Sequence, residues 1–521
     1  MGQVLACPTF FNPFAKLMTI RISIVCLFSA FTYAAGPAQP PVFNVQSYGA
    51  DASGKTNDAA AINRAIDAAG AAGGGTVYFP AGRYLSGSIH LKSDVGLYLD
   101  HGAIIEASAD LEAYDAPEPN QWDKYQDFGH SHWRNSLMWG EGVNNVSISG
   151  SGLIDGKALT READKRIGNK AISLKLSRNV TIRDIQMLLC GHFAILATGV
   201  DNLTIDNITI DTNRDGIDVD ASRNVRISNV SVNSPWDDAI VLKASYGLGF
   251  FRDTTNVTIT NSFVSGYDMG TLLDGTFQRS GKGAPDRGGP TGRIKLGTES
   301  SGGFKNITIS NCVFEYSRGL ALETVDGGLL EDITISNITM RDVTNSPLFL
   351  RLGRRMRSPE GTPIGRLRRV NISDVVVYNA DPRYASLITG IPGHDIEDVK
   401  LNNIRILYQG GGARELAAVA PAESETEYPE PYRFGDMPAY GFFVRHVNGI
   451  ELNNVEIGYL KEDLRPAFML TGVTRADFNN VKAQHAPGVP AFVLKDVTGF
   501  ETWHSHGIPD IRLENASEKS F

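Results

Sequence analysis

The 521-residue chain is poor in cysteine, in long apolar runs and in net charge. Its four cysteines, Cys7, Cys26, Cys190 and Cys312, have neither a metal-binding spacing nor the pattern of a disulfide framework. The apolar run at residues 22–31 is too short to span a bilayer, which takes about 20 residues. The formal net charge of −9 argues against nucleic acid as a partner. The sequence therefore predicts neither a disulfide-stapled, nor a membrane-spanning, nor a nucleic-acid-binding protein.

The N-terminal segment has the pattern of an export signal. Arg21 precedes the apolar run at residues 22–31, and small residues suited to cleavage follow it. We expect residues 1–36 to be a signal peptide with an upstream extension. The protein is then exported, to the periplasm or out of the cell. Cys190 and Cys312 remain after cleavage, and we expect both to be buried free thiols.

A short pattern of an asparagine followed by alternating apolar and polar residues recurs down the chain. Val180, Leu203 and Val225 hold the same place in three successive copies, 23 and 22 residues apart. The alternation predicts a strand with one buried face, which it can bury only by stacking on the next copy. A β-propeller blade would need about 40–50 residues. The sequence therefore predicts an all-β fold, a right-handed parallel β-helix, and assigns its recurrent Asn-x-Thr triplets to turns rather than to glycosylation.

The predicted β-helix has a cap and long inserted loops. Residues 37–108 are expected to form an N-terminal cap and the first coils, with an amphipathic helix that begins near residues 56–58. Residues 109–140 form an aromatic-rich insertion, for which stacking on sugar rings and a loop mini-core both remain open. Residues 141–500 are predicted to be the main, catalytic β-helix, and residues 501–521 a C-terminal tail.

Two acidic segments lie one repeat apart. Asp215 belongs to the first, and Asp237 and Asp238 form the second, 22 and 23 residues later. On neighbouring coils, whose strands lie about 4.8 Å apart, these residues would share one face. Crowded carboxylates can keep one acid protonated while another stays ionised, as cleavage of a glycosidic bond requires. Isolated turn aspartates are the alternative, and the one-repeat spacing favours a shared site.

The motifs together resemble glycoside hydrolase family 28, the polygalacturonases and rhamnogalacturonan hydrolases. The resemblance rests on the Asn-x-Asp-Gly-Ile-Asp motif at residues 213–218, the Asp-Asp pair, and the glycine-rich segment at residues 297–306. It covers residues 43–345. It implies inverting hydrolysis of α-linked galacturonic acid bonds without metal or cofactor. It also implies that Asp237 is the general acid and that Asp215 and Asp238 activate the attacking water.

The same resemblance bears on substrate binding. Lys243 matches a lysine of the family, and Asn213, Glu299, Glu323 and Arg351 are further candidates for contacts with substrate. The family's Gly-His-Gly aligns with residues 291–293 and its Arg-Ile-Lys with residues 321–323, so the usual histidine and both cations are missing there. An acid, Glu323, stands where the lysine would be and would repel a galacturonate carboxylate. This departure favours a bond next to neutral rhamnose.

The sequence thus predicts an exported, pectin-degrading glycoside hydrolase that acts on rhamnogalacturonan or oligogalacturonide fragments. Its partner would be an acidic plant cell-wall polysaccharide or oligosaccharide. Inserted loops at residues 259–306 and 404–446 are expected to close one end of the cleft and to favour exo action. Two alternatives stay open, a pectin lyase-like enzyme acting by β-elimination and a non-catalytic carbohydrate-binding β-helix. The oligomeric state is not predicted.

Overall fold

The computed structural model describes residues 41–157, 159–160, 169–281 and 289–521. The predicted signal segment at residues 1–36 lies outside this part of the chain. Within it, no helix is long and apolar enough to cross a membrane. The described residues form a right-handed parallel β-helix, as predicted, whose strands join in one continuous sheet.

Three parallel ladders of strands run along the solenoid. The first contains β1 (Val42–Asn44), β3 (Gly75–Phe79), β6 (Val95–Leu99), β9 (Asn144–Gly150), β12 (Arg178–Arg183), β15 (Asp201–Asp206), β18 (Arg223–Ser228) and β21 (Thr254–Thr260). The second contains β5 (Ile89–His90), β8 (Ser136–Glu141), β11 (Lys170–Lys175), β14 (Phe193–Thr198), β17 (Asp215–Asp220), β20 (Ile240–Ala244), β23 (Ile294–Ser300), β25 (Leu320–Thr324), β27 (Leu348–Leu352) and β29 (Ser386–Thr389). The third contains β2 (Ser53–Asn57), β4 (Gly82–Ser86), β7 (Ala103–Ala107), β10 (Leu153–Asp155), β13 (Gln186–Leu188), β16 (Thr209–Asp211), β19 (Ser231–Asn233) and β22 (Phe263–Ser265).

The ladders merge toward the C-terminus. Single long strands continue the first and third ladders: β24 (Phe304–Glu315), β26 (Leu329–Arg341), β28 (Arg366–Ala380) and β30 (Ile396–Gly410). The strands β31 (Phe442–Lys461), β32 (Phe468–Ala483) and β33 (Phe492–Trp503) then carry all three. The last strand, β34 (Ile511–Ser520), pairs antiparallel with β33, so much of the predicted tail is part of the sheet.

Asparagines at one turn of each coil explain the recurrent motif. Asn179, Asn202 and Asn224 adopt left-handed backbone angles, with φ of 56°, 57° and 56°, a region that asparagine enters more readily than most residues. The side-chain amide of Asn202 donates to the amide oxygen of Asn179 at 2.8 Å, and that of Asn224 to Asn202 at 3.1 Å. These asparagines therefore stack from coil to coil, which is the turn role that their repetition predicts.

A helix covers the N-terminal end of the core. The helix α1 (Ala59–Ala71) buries Ile62, Ala65 and Ile66 against the first coil. Its first N–H group is satisfied by Asn57, whose side-chain oxygen accepts from the backbone N–H of Ala59 at 3.0 Å. The amphipathic cap is therefore present where the apolar spacing predicts it.

Two insertions cover the outer face of the second ladder. The first, residues 109–140, contains the short helix α2 (Phe128–Ser131) and packs Trp133 on Phe193 and Leu196. The second, residues 411–441, packs Phe434 and Met437 over β25 to β32. Between them, the two insertions contact β17, β20 and β23. His130 of the first lies beside Asp218 and Lys243, and Tyr428 of the second lies beside Lys295.

Candidate active site

The three aspartates that the sequence singles out come together in the structure. One side-chain oxygen from each of Asp215, Asp237 and Asp238 lies within 4.8 Å of the others. Asp215 and Asp238 are buried, 2% and 3% exposed, whereas 30% of the Asp237 side chain is exposed. Two buried acids therefore share the site with one acid that faces outward.

One additional residue in a turn creates this arrangement. The strand β17 pairs with β20 at an offset of 23 residues, whereas β16 pairs with β19 at an offset of 22. The turn before β20 is thus one residue longer than the turn before β17. Asp238 lies beside the start of β17, and its carbonyl accepts the backbone N–H of Gly216 at 3.0 Å. Asp237 lies in the bend before the strand, so strand alternation does not send it to the opposite face from Asp238.

Burial and charge push the two buried acids in opposite directions. Burial, and then the charge of Asp237, raise the pKa of Asp215 well above its usual range. Burial also opposes ionisation of Asp238, but two cations outweigh it and hold the pKa of Asp238 well below its usual range. Those cations are Arg293, whose Nε lies 2.6 Å from Oδ1, and Lys295, whose Nζ lies 3.3 Å from Oδ2. Such divergent environments are typical of an acid/base pair.

Arg214 lies between the two acidic segments. Its Nε donates to Asp237 Oδ2 at 3.0 Å and lies 3.8 Å from Asp215 Oδ2. Its Nη1 lies 2.9 Å from Nδ1 of the buried His192. One quarter of its side chain, 25%, is exposed. The partly exposed acid is therefore paired with a partly exposed cation.

A buried charge cluster lies next to Asp215. Lys243 Nζ is 3.1 Å from Asp218 Oδ2 and 3.3 Å from Glu299 Oε2. His130, which comes from the first insertion, contacts Lys243 and lies 3.3 Å from Asp218 Oδ2. Lys243 and Glu299, both predicted to bind substrate, are 6% and 4% exposed and pair with each other. They are part of this buried cluster next to Asp215. Their predicted contact with substrate stays a prediction.

The other predicted substrate-binding residues lie in different settings. The side-chain oxygen of Asn213 accepts the backbone N–H of Gly191 at 3.0 Å. Glu323 is fully buried, its Oε2 accepts from Thr298 Oγ1 at 3.0 Å, and burial raises its pKa to about 7. Arg351 is 1% exposed and donates to the carbonyls of Gly390 and of Glu423 and Ser424 in the second insertion. The structure thus does not bring Arg351 to the aspartates but makes it an anchor for a loop.

The second insertion supplies residues that the sequence analysis missed. Glu430 Oε1 lies 2.6 Å from Arg293 Nη2. The Tyr428 hydroxyl lies 3.3 Å from Lys295 Nζ. No sequence signal locates Tyr428 or Glu430, because more than 130 residues separate them from their partners. Arg293 and Lys295 could have been predicted, because they lie just before and just after the start of β23, one coil after Asp238.

Two triplets have the spacing of a metal site, Asp215 with Asp237 and Asp238, and Asp215 with His130 and Asp218. A cation of the protein already contacts each triplet. Arg214 and Arg293 pair with the first, and Lys243 pairs with Asp218 in the second. The carboxylates are therefore balanced by side chains of this chain.

Comparison with known proteins places the chain in a family. Residues 42–315 match the family model described as rhamnogalacturonase A/epimerase, pectate lyase-like. A probable polygalacturonase of Vitis vinifera is 24% identical over 409 residues, covering 73% of this chain and 77% of that protein. An endo-polygalacturonase of Pectobacterium carotovorum subsp. carotovorum is 25% identical over 370 residues, covering 63% and 88%.

Solved structures share the fold. The family 28 exopolygalacturonase of Yersinia enterocolitica has a TM-score of 0.62 at 18% identity, with 86% of this chain and 78% of that chain covered. The hyperthermoactive exopolygalacturonase of Thermotoga maritima has a TM-score of 0.57 at 17% identity, with 93% and 95% covered. Motifs, fold and family model agree, and the chain belongs to the rhamnogalacturonase A/epimerase, pectate lyase-like family, of the glycoside hydrolase family 28 type.

Proposed function

We propose that this protein is a glycoside hydrolase of the polygalacturonase type that removes galacturonic acid from the ends of pectic fragments. The convergence of Asp215, Asp237 and Asp238 within 4.8 Å carries the proposal, in a chain whose curated relatives are named polygalacturonases. The proposal includes export through the segment at residues 1–36. Comparing the amounts of the protein in periplasmic, culture and cell fractions tests this part.

The proposed reaction is inverting hydrolysis. Asp237 gives its proton to the glycosidic oxygen as the bond from that oxygen to the anomeric carbon breaks. Water forms the new bond to that carbon and gives its proton to Asp238, which the neighbouring cations keep ionised. Asp215 orients the water. A donor role for Asp215 is the alternative, because its pKa is raised.

Substrates with different leaving groups separate these two donor assignments. A nitrophenyl leaving group needs little protonation, so loss of the true donor costs far less on an aryl galacturonide than on an oligogalacturonide. We expect Asp237→Asn to lose far more activity on the oligogalacturonide than on the aryl galacturonide. We expect Asp215→Asn to lose activity on both substrates. The reverse pattern would make Asp215 the donor.

The proposal of inversion at the anomeric carbon is based on the resemblance to glycoside hydrolase family 28. Inverting enzymes usually separate their two carboxyl groups by about 6.5–9.5 Å and retaining ones by about 5–5.5 Å, whereas the nearest oxygens here are within 4.8 Å. Proton NMR of the first product decides between the two outcomes. Inversion predicts that the β-anomer appears first from an α-linked substrate, and an initial α-anomer would refute it.

Oligogalacturonides are the proposed substrate, with rhamnogalacturonan as the competing one. Glu323 would repel a galacturonate carboxylate strongly only if Glu323 itself carried a full negative charge. Burial raises its pKa to about 7 and Lys295 lies 3.6 Å from Oε2, so that charge is weakened below neutral pH. An acidic sugar is therefore not excluded by this residue.

The two insertions support the proposal of exo action. Residues 109–140 cover one end of the outer face and residues 411–441 cover the other. Arg357 Nη1 lies 3.1 Å from Asp127 Oδ1 and links the first insertion to the loop after β27. A site with a loop at each end would accept a chain end rather than the middle of a polymer. We expect monomeric product from the start and a slow fall in polymer viscosity, whereas a rapid fall would contradict exo action.

The central experiment incubates the protein, with a chelator present, on oligogalacturonides and on rhamnogalacturonan. Reducing ends report hydrolysis, and ultraviolet absorbance reports the unsaturated product of elimination. Asp238→Asn is expected to abolish release. Asp184→Asn is the matched control, because this turn aspartate accepts from Asn207 in a stack where asparagine is the usual residue. Ultraviolet-absorbing product would instead indicate a lyase, and absence of product from both would favour a binding protein.

A further inference from the structure

Arg214 is the most accessible cation among those paired with the three aspartates. In the described part of the chain these cations are Arg214, Arg293 and Lys295, and their side chains are 25%, 4% and 2% exposed. An incoming sugar can therefore reach Arg214 far more readily than the other two. The arginine fills the variable position of the Asn-x-Asp motif, and nothing in the proposed reaction yet uses it.

The buried cations are committed to partners inside the protein. Arg293 joins Asp238 to Glu430, and Lys295 joins Asp238 to the Tyr428 hydroxyl. Breaking such a pair leaves an uncompensated buried charge, which is costly. These cations therefore hold Asp238 ionised rather than exchange it for a ligand.

The pair formed by Arg214 is of a different kind. Its carboxylate partner, Asp237, is itself 30% exposed, and ion pairs between partly exposed groups contribute little net stability. A guanidinium presents a planar fork of donors that fits a second carboxylate. Arg214 can thus change partners, from Asp237 to an acid on the substrate, at a smaller cost than Arg293 or Lys295 can.

We propose that Arg214 binds the carboxylate of the uronic acid next to the scissile bond and thereby selects acidic over neutral substrates. This inference rests on the proposed function and assigns it a specificity-determining residue. Arg214 takes over the charge recognition for which the chain has no cations at residues 321–323. Arg214 lies in the same Asn-x-Asp motif as Asp215.

Two matched substrates test this inference, trigalacturonic acid and its methyl ester, in which the carboxylates are neutral. We expect Arg214→Gln to lower kcat/KM on the free acid by about 10- to 100-fold, the range for a charge-assisted contact, and to change it little on the ester. Arg214→Lys should retain part of the preference. Arg405→Gln, which removes an exposed arginine paired with Glu456, is the control and should behave as the wild type.

Binding to an inactive background gives a second readout. In Asp238→Asn protein, calorimetry should show weaker binding of the free acid, but not of the ester, once Arg214→Gln is added. Equal losses of affinity or kcat/KM on the free acid and the ester would mean that Arg214 only holds Asp237 in place, and would overturn the inference. No loss on either substrate would also overturn it. If the wild-type protein cleaves neither substrate, the proposed function itself fails. A melting temperature close to that of the wild type separates these outcomes from misfolding.

Discussion

Asp215 and Asp238 occupy neighbouring positions in two paired coils, yet they favour opposite protonation states. The difference comes from the side chains beyond them. Arg293 and Lys295 contact Asp238, whereas Asp215 is buried next to another acid. Single residues therefore decide which carboxyl group can serve as a base.

Glu323 gives a test of this electrostatic reasoning. Burial raises its pKa from 4.5 to about 7, so the folded protein holds a proton that the unfolded chain releases. Stability from this group is complete below pH 4.5 and is lost as pH rises through 7. Glu323→Gln removes this pH-dependent loss. When the pH is raised from 5 to 8, the free energy of unfolding of the variant should therefore rise by on the order of 2–3 kcal/mol relative to that of the wild type. Urea unfolding at both pH values measures the difference, and a constant offset would contradict the assignment.

The sequence predicts the residues of this site unevenly. Asp215, Asp237 and Asp238 could be found because the repeat places them on adjacent coils. Lys295 also follows the repeat, because it lies on the strand that pairs with β20. The Tyr428 contact could not be predicted, because it depends on how a long insertion folds back across the sheet.

At the scale of elements, the insertion at residues 411–441 is held to the β-helix by buried arginines. Arg351 donates to the carbonyls of Glu423 and Ser424, and Arg445 to those of Pro421 and Ala422. The loop has few regular hydrogen bonds of its own, so these contacts fix its course. Its placement in turn fixes the Tyr428 hydroxyl beside Lys295 Nζ.

Arg351→Leu should release this loop. The change leaves several buried carbonyls without a donor, and we expect a loss of about 2–4 kcal/mol in stability. Limited proteolysis should cut residues 411–441 faster, and products longer than the monomer should appear. Arg366→Leu is the control, because that arginine is 53% exposed and pairs with Glu397 on the surface. Equal effects of both changes would contradict an anchoring role for Arg351.

The asparagine stack provides a second test at this scale. Asn224→Ala removes hydrogen bonds to Asn202 and from Asn256 and puts a β-carbon without a polar group at φ of 56°. A stability loss of about 2 kcal/mol is expected. Asn224→Gly keeps the backbone angle accessible and should lose about half as much. Indistinguishable melting temperatures for the two variants would argue against a contribution from backbone conformation.

The whole molecule behaves as a stack of coils with a cover at each end. The helix α1 closes the N-terminal end and β34 pairs along the last coil. The repeat, the cap helix and the fold class could all be predicted from sequence, because they depend on local alternation and spacing. The antiparallel strand β34 could not, because its pattern is short and continues no copy of the repeat.

Loss of the N-terminal cover should destabilise the entire stack. Ile62 is fully buried between α1 and the first coil. Ile62→Ala should cost about 2–4 kcal/mol, because neighbouring coils depend on one another for their buried faces. Urea unfolding measures this cost, and Ala60→Ser on the exposed side of the same helix is the control. A loss below about 1 kcal/mol would show that the cap is dispensable.

The most direct test of the central claim is the initial rate at which galacturonic acid is released from an oligogalacturonide by the wild-type protein and by Asp238→Asn. If the three aspartates form a hydrolytic site, the wild-type protein releases saturated monomer and the variant loses at least about a thousandfold in rate while circular dichroism shows that it is still folded at the assay temperature. A folded Asp238→Asn protein that releases monomer at the wild-type rate would contradict the claim.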